Sequence, residues 1–247
     1  MGARDVIHQV RSQSSIDDRT RVLVNMRGRY HLEKWHQTPT RKVSLFACRI
    51  QRLSPATILM TAPVSGDIGD WVVAQFNELG RLRGQIQRRL GFGFVMSLDL
   101  DDEARHRMVE KIVWLEKFQN FAVSEARRHT RIVPKSAQST LVLPDASLVP
   151  CFVIDISSSG AAVSADIDVK IGMPLALGTA VGRVVRQLDP GFAIQFIETV
   201  PPADLERRVI RTADELVPDL RKQIQAAANR MNAVAAAKPL DATAPAA

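Results

Sequence analysis

The chain carries one segment twice, and that repeat limits the possible architectures more than any other feature. Cys48-Arg-Ile-Gln-Arg-Leu-Ser-Pro-Ala-Thr-Ile-Leu-Met lies over Cys151-Phe-Val-Ile-Asp-Ile-Ser-Ser-Ser-Gly-Ala-Ala-Val at a shift of 103 residues. The same shift carries Ser54 onto Ser157 and Ile68-Gly69 onto Ile171-Gly172. Further on, a shift of 98 carries Gly84 onto Gly182, Arg88 onto Arg186 and Gly93-Phe94 onto Gly191-Phe192. The five-residue difference falls between Gly69 and Gly84, within Ala74–Gly80, where a longer hairpin tip absorbs it. One register, broken once at a turn, means two copies of one domain. A chain of 247 residues has room for two small domains.

Each copy reads as β. Val43–Leu53, Trp71–Phe76, Arg81–Arg88 and Phe92–Leu98 are strand-length, rich in Val, Ile, Leu and Phe, and bounded by Gly, Asn, Asp or Pro. The second copy offers Leu141–Leu143, Val149–Ile156, Ala161–Ser164, Leu175–Gly178, Ala180–Gln187 and Phe192–Ile197. About six short antiparallel strands per copy predict a small closed barrel, which also removes exposed sheet edges.

Helix follows each copy. Asp101-Asp102 offers an N-cap for Glu103–Phe118, with Met108, Ile112 and Leu115 on one stripe and Trp114 and Phe118 beside it. After the second copy, Pro201-Pro202 and Asp204 open a helix bearing Leu205, Val209 and Leu216, with a break or kink expected at Pro218. An Ala-rich segment with Leu220, Ile224, Met231 and Val234 runs to about Ala237. The predicted fold is therefore mainly β with α: two small antiparallel barrels in tandem, each followed by helix. Residues 1–15 and 238–247 read as a flexible N-terminus and a disordered tail.

Composition narrows the class of partner. Lys and Arg number 33 against 26 Asp and Glu, a net charge of +7, and 25 of the cations are Arg. Arg suits flat, bidentate recognition of phosphate and of guanine edges, so an anionic partner is expected. Cys48 and Cys151 sit inside apolar strand-like runs and read as small core residues in a reducing cytosol. No run of about 18 apolar residues is present to span a membrane, and the first residues lack a secretory pattern. The expected location is the cytoplasm. His31 and His36 are five apart but lack companions at metal-ligand spacing, and no nucleophile elbow, phosphate loop or dinucleotide fingerprint occurs. The chain does not read as an enzyme.

One constellation carries chemistry. Arg127-Arg128-His129-Thr130-Arg131 precedes the second copy, and Asp155-Ile-Ser157-Ser-Ser-Gly160 bridges two of its strands. Either motif alone is weak: Arg-x-x-x-Arg recurs at Arg207…Arg211, where i,i+4 spacing on a helix surface explains it, and Asp, Ser and Gly are ordinary turn formers. Together, one at a barrel entrance and one at a strand end, they resemble the two signature motifs of the PilZ domain. That family is the bacterial receptor module for cyclic di-GMP, and the resemblance covers about Glu125–Glu198. It implies a ligand rather than a cofactor, bound by Arg127, Arg128, Arg131, Asp155, Ser157 and Gly160. The chemistry agrees. Arg127 and Arg131 can pair with phosphate or guanine O6/N7, or stack on the bases. Asp155 can accept from guanine N1–H and N2–H₂, and Ser157 can donate to phosphate. Gly160 lacks a Cβ, which allows φ > 0 or a close ligand approach. Arg183 and Arg186 are further basic residues of the same barrel.

The first copy departs from that pattern. On the repeat register Arg52 replaces Asp155 and Thr57 replaces Gly160, with only Ser54 kept; upstream, Asp17-Asp-Arg-Thr-Arg21 puts an aspartate in place of the first arginine. Arg52 would repel guanine's donor edge. Residues 16–120 thus read as a degenerate barrel with a linker helix, used for packing or a protein partner. Residues 121–200 read as the ligand-binding copy, and 201–237 as C-terminal helices that could also meet a partner. Two other classes compete. A basic small β-barrel also suits a nucleic-acid-binding module, although aromatics at 5% with one Tyr leave few stacking platforms. A ligand-free adaptor is the third.

Overall fold

The computed structural model describes residues 26–36, 44–118 and 131–218. They form two closed six-stranded antiparallel barrels. The first contains β1 (Arg27–Leu32), β2 (Phe46–Leu53), β3 (Thr57–Thr61), β4 (Trp71–Phe76), β5 (Gly80–Leu90) and β6 (Gly93–Leu98). The second contains β7 (Gln138–Val142), β8 (Leu148–Ser157), β9 (Gly160–Ala165), β10 (Pro174–Leu177), β11 (Ala180–Gln187) and β12 (Phe192–Phe196). Strand order around the first is β1-β2-β3-β6-β5-β4, and β7-β8-β9-β12-β11-β10 around the second is the same path.

The repeat holds in detail. β2 bulges between Ile50 and Arg52, and β8 bulges between their equivalents Val153 and Asp155. β5 and β11 bulge at the equivalent pairs Ile86/Arg88 and Val184/Arg186. Gly93 and Gly191 both have positive φ (116° and 98°). A Cβ would lie 2.0 Å from the Met60 carbonyl oxygen in one copy and 2.1 Å from that of Val163 in the other. The register break is where the sequence puts it. Val72 pairs with Gly84 and Leu175 with Gly182, so the β4–β5 hairpin contains the extra five residues beyond a matched base.

Two strands of the first copy, β1 and β3, fall outside the predicted set. β1 reads Arg-Gly-Arg-Tyr-His-Leu, and its alternation, with Tyr30 and Leu32 buried and Arg27 and Arg29 exposed, is masked by charge. His31 stands in β1, opposite Val73, and the chain turns from β1 into a helical turn, α1 (Glu33–His36). Cys48 and Cys151, equivalent positions, are buried free thiols, and burial pushes both thiol pKa values up.

Helix α2 (Asp102–Phe118) begins where expected, with the Asp101 carboxylate accepting the Ala104 N–H at 2.7 Å. Met108, Ile112 and Leu115 enter the first barrel's core, while Trp114 is mostly exposed. After β12, a 3₁₀ turn (Pro202–Asp204) leads into α3 (Leu205–Val209), whose Leu205 and Val209 enter the second barrel's core. The single helix expected as far as Pro218 is broken earlier, at Ile210, which is extended (φ −92°, ψ 90°). The barrel takes the freed carbonyls: the Thr179 N–H donates to Arg208 O at 2.8 Å, and the Ser139 hydroxyl donates to Val209 O. Helical geometry resumes over residues 213–218 and includes Pro218. Arg207 and Arg211 therefore do not share one helix face; Arg207 pairs with Asp204 and Arg211 with Glu215.

The barrels meet through the outer faces of β2 and of β8–β9. The Ala47 N–H donates to Ser164 Oγ at 3.0 Å, and Ala47, Ala137 and Phe152 form a small core flanked by Phe92 and Ile154. No helix of the described residues is long and apolar enough to cross a membrane. The readings made for residues 1–25, 37–43, 119–130 and 219–247 lie outside the described residues. These include Asp17–Arg21, Arg127, Arg128 and the Ala-rich segment.

Candidate ligand site on the second barrel

The two bulges aim the site. In β8, Val153 and Ile156 point into the core, so the extra residue leaves Ile154 and Asp155 both on the outside. In β11, Val184 is in the core, and Val185 and Arg186 both turn outward. Asp155 pairs with Ala162, Ala162 with Ala193, and Ala193 with Arg186, so four residues form one row across four strands. The ends of the row are an acid and a base; its middle is two methyl groups. A cavity of about 450 Å³ lies over it, with Arg131, Ser157, Ser159 and Gly160 on its walls.

Arg131 reaches the site because its neighbour is tied to the barrel. Ile132 and Ile156 exchange backbone hydrogen bonds of 2.7 and 2.9 Å. The Arg131 Nη1 then lies 3.2 and 3.4 Å from the two oxygens of Asp155, whose side chain is 15% exposed. Arg131 and Asp155, read from the sequence as two separate contacts, are one ion pair at the cavity wall. Ser157 Oγ donates to Gly160 O at 3.2 Å and lies 3.4 Å from Ser159 Oγ, closing the turn between β8 and β9. Ser54 makes the equivalent bond to Thr57 O in the first barrel, so the shared serine closes the same turn in both copies.

Gly160 lines the cavity, and of the two reasons expected for glycine there, positive φ does not apply. Its φ is not positive; a Cβ would stand 2.2 Å from Ile194 O on β12. Strand packing demands it. Arg186 borders the cavity, whereas Arg183 lies outside it, its guanidinium 3.5 Å from Gln195 Oε1. Ser159, Ala162, Val185 and Ala193 were not singled out by sequence reasoning. Comparing the two copies residue by residue would have found the alanines, because Leu59 and Val95 stand in their places.

The equivalent row of the first barrel is Arg52–Leu59–Val95–Arg88, on the same pairings and beside the same bulges. Its acid has become a base, and its floor is built of larger side chains. Among the described residues no group of His, Cys, Asp and Glu could hold a metal ion.

Comparison with curated proteins gives no match. Among solved structures, the chain is similar to Borreliella burgdorferi PlzA in complex with c-di-GMP, at 12% identity and a TM-score of 0.26, covering 80% of this chain and 96% of that one. It is also similar to the Bacillus subtilis inhibitor of motility MotI/DgrA, at 12% identity and a TM-score of 0.25, covering 83% and 99%. YcgR from Escherichia coli, in complex with c-di-GMP, gives 11% identity and a TM-score of 0.23 over 92% and 93%. Scores this low carry no argument about the site. The family profile does: it matches residues 125–213, which take in both motifs, the whole second barrel and α3. Residues 125–213 of this chain match the family profile of the PilZ domain.

Proposed function

We propose that the second barrel is a receptor site for cyclic di-GMP and that the chain is a binding protein of the bacterial cytoplasm rather than an enzyme. The observation that carries this reading is the Arg131–Asp155 pair on the wall of a 450 Å³ cavity inside the PilZ match. Cyclic di-GMP offers two phosphodiester anions and two guanines. The Asp155 carboxylate suits the guanine N1–H and N2–H₂ donors, and Arg131 can turn its fork toward phosphate or the O6/N7 edge. Ser157 and Arg186 add a hydroxyl donor and a second cation. Arg127 and Arg128 join this set on the family motif.

The first barrel is the effector end of the reading. The four-residue segment Arg131–Pro134 links the cavity to the first barrel: Arg131 pairs with Asp155, and Pro134 O accepts a hydrogen bond from Arg49 Nη1 at 2.9 Å. A ligand that draws Arg131 from Asp155 therefore pulls on a segment fixed at its other end to β2. The first barrel or the C-terminal residues would then present the change to a protein partner.

Titration of the full chain with cyclic di-GMP, cyclic di-AMP and GTP by calorimetry tests the reading. Binding of cyclic di-GMP in preference to the other two is expected. Absence of binding would overturn it.

A further inference from the structure

We propose that Ala162 and Ala193 are specificity-determining residues of the second barrel: their small size makes the site, and larger residues at their positions close it in the first barrel. The inference rests on the reading of the second barrel as a cyclic di-GMP site.

The two barrels supply their own comparison. The rows Asp155–Ala162–Ala193–Arg186 and Arg52–Leu59–Val95–Arg88 share strand order, pairings and both bulges. Residues on either side of each central pair point into the core: Ala161, Val163, Phe192 and Ile194 in one barrel, Ile58, Met60, Phe94 and Met96 in the other. The central pairs therefore face outward in both. With backbone and flanking cores matched, what separates the floors of the two rows is side-chain volume. Three strand spacings, about 14 Å at the usual 4.7–4.9 Å each, separate Asp155 from Arg186. Between them, two methyl groups leave a flat apolar floor on which a purine can lie, with its donor edge toward the acid and its phosphate toward the base. A leucine and a valine occupy that depth in the first barrel. Exchange of Asp155 for Arg52 changes the charge of the first copy; exchange of the alanines changes its shape.

Shape and charge can be separated by substitution. Ala162→Val, Ala162→Leu and Ala193→Val keep Asp155 and Arg131, and the matched backbone of the first barrel already accommodates Leu and Val at these positions. The expected result is a graded loss of cyclic di-GMP affinity, reaching roughly 100-fold for Ala162→Leu. The ligand-free melting temperature should stay at that of the wild type. Ala176→Leu, a partly buried strand alanine on β10 away from the cavity, serves as the control and should bind normally. Wild-type affinity in both Ala162→Leu and Ala193→Val would overturn the inference while leaving the receptor reading intact, as would an equal loss in Ala176→Leu. If Ala162→Leu fails to fold, Ala193→Val decides alone. A wild-type chain that does not bind cyclic di-GMP overturns the receptor reading and this inference with it.

Discussion

Arg49 and Phe152 occupy the same position in the two copies of the repeat and meet across the interface between the barrels, the guanidinium carbon 5.6 Å from the ring centre. Arg49 is 3% exposed, and its Nη1 donates to Pro134 O, while its Nε and Nη2 have no hydrogen-bond partner. Burial, with Arg27 as a second cause, lowers its pKa from the usual arginine value. A shared strand position thus became an interface centre in which one copy supplies the ring and the other a cation.

That arrangement makes the interface a source of cost as well as of contact. Each buried donor left without a partner costs about 1–3 kcal/mol. Arg49→Met keeps an unbranched apolar stem at the interface, removes both orphans, and gives up the guanidinium over Phe152 and the bond to Pro134 O. Its stability in denaturant titration should equal or exceed that of the wild type, whereas Arg49→Ala should lose about 2 kcal/mol by opening a cavity. A large loss in Arg49→Met would mean the lone hydrogen bond outweighs the orphans.

At the ligand site, Arg131→Ala and Asp155→Ala should each weaken cyclic di-GMP binding by about 1.5–3 kcal/mol, the range of charge-assisted hydrogen bonds. Arg207→Ala, whose guanidinium pairs with Asp204, should change little. Calorimetric titration of the three variants checks this, and an Arg207 effect equal to that of Arg131 would refute the motif assignment.

Coupling between the barrels has its own readout. Ligand should slow amide exchange at residues 131–137 and 155–160 and change the distance between labels on the two barrels. An unchanged distance at saturation would leave binding without a switch.

The glycine pair tests the repeat as a packing rule. Gly93→Ala and Gly191→Ala each combine a positive φ with a Cβ about 2 Å from a neighbouring carbonyl oxygen, and each should cost at least about 2 kcal/mol. Gly80 also has positive φ, but a Cβ there meets nothing within 4 Å, and Gly80→Ala should cost about 1 kcal/mol. Equal losses at all three positions, measured by denaturant unfolding, would remove the steric part of the argument.

Acid should weaken the first barrel through Glu33. Its hydrogen bond to Arg83 is the main cause that holds its carboxyl below the usual carboxylate range. A depressed folded value means the contribution is complete above the ordinary carboxylate pKa and disappears as pH falls through the folded one. The stability difference between the wild type and Glu33→Gln should therefore be constant near neutrality, begin to shrink as pH enters the ordinary carboxylate range, and vanish only below the lowered folded value. A difference that persists at lower pH would place the contribution in packing.

Much of the second barrel was legible in the chain itself. Runs of Val, Ile, Leu and Phe between turn residues marked its strands, because a half-buried sheet repeats every two residues and needs local turn chemistry to reverse. The 103-residue and 98-residue shifts located the longer hairpin, since two copies of one fold must share register wherever the backbone is shared. The paired motifs resembling those of the PilZ domain, with charges and donor counts that suit guanine and phosphate, singled out Asp155 and Arg131 as candidate ligand contacts.

Other features waited for the tertiary structure because they depend on residues far apart in sequence. The bulge that turns Asp155 outward is set by how β8 pairs with β9, not by the residues of β8. The end of α3 at Ile210 follows from Thr179 and Ser139 taking its last carbonyls, which no local helix signal contains. Gly160 is glycine because of Ile194 O on another strand. The repeat and the alternation along the chain imply two barrels and the residue types of one candidate site; the closure of each sheet settles which side chains share a face, because neighbours around a barrel are chosen by strand order rather than by distance along the chain.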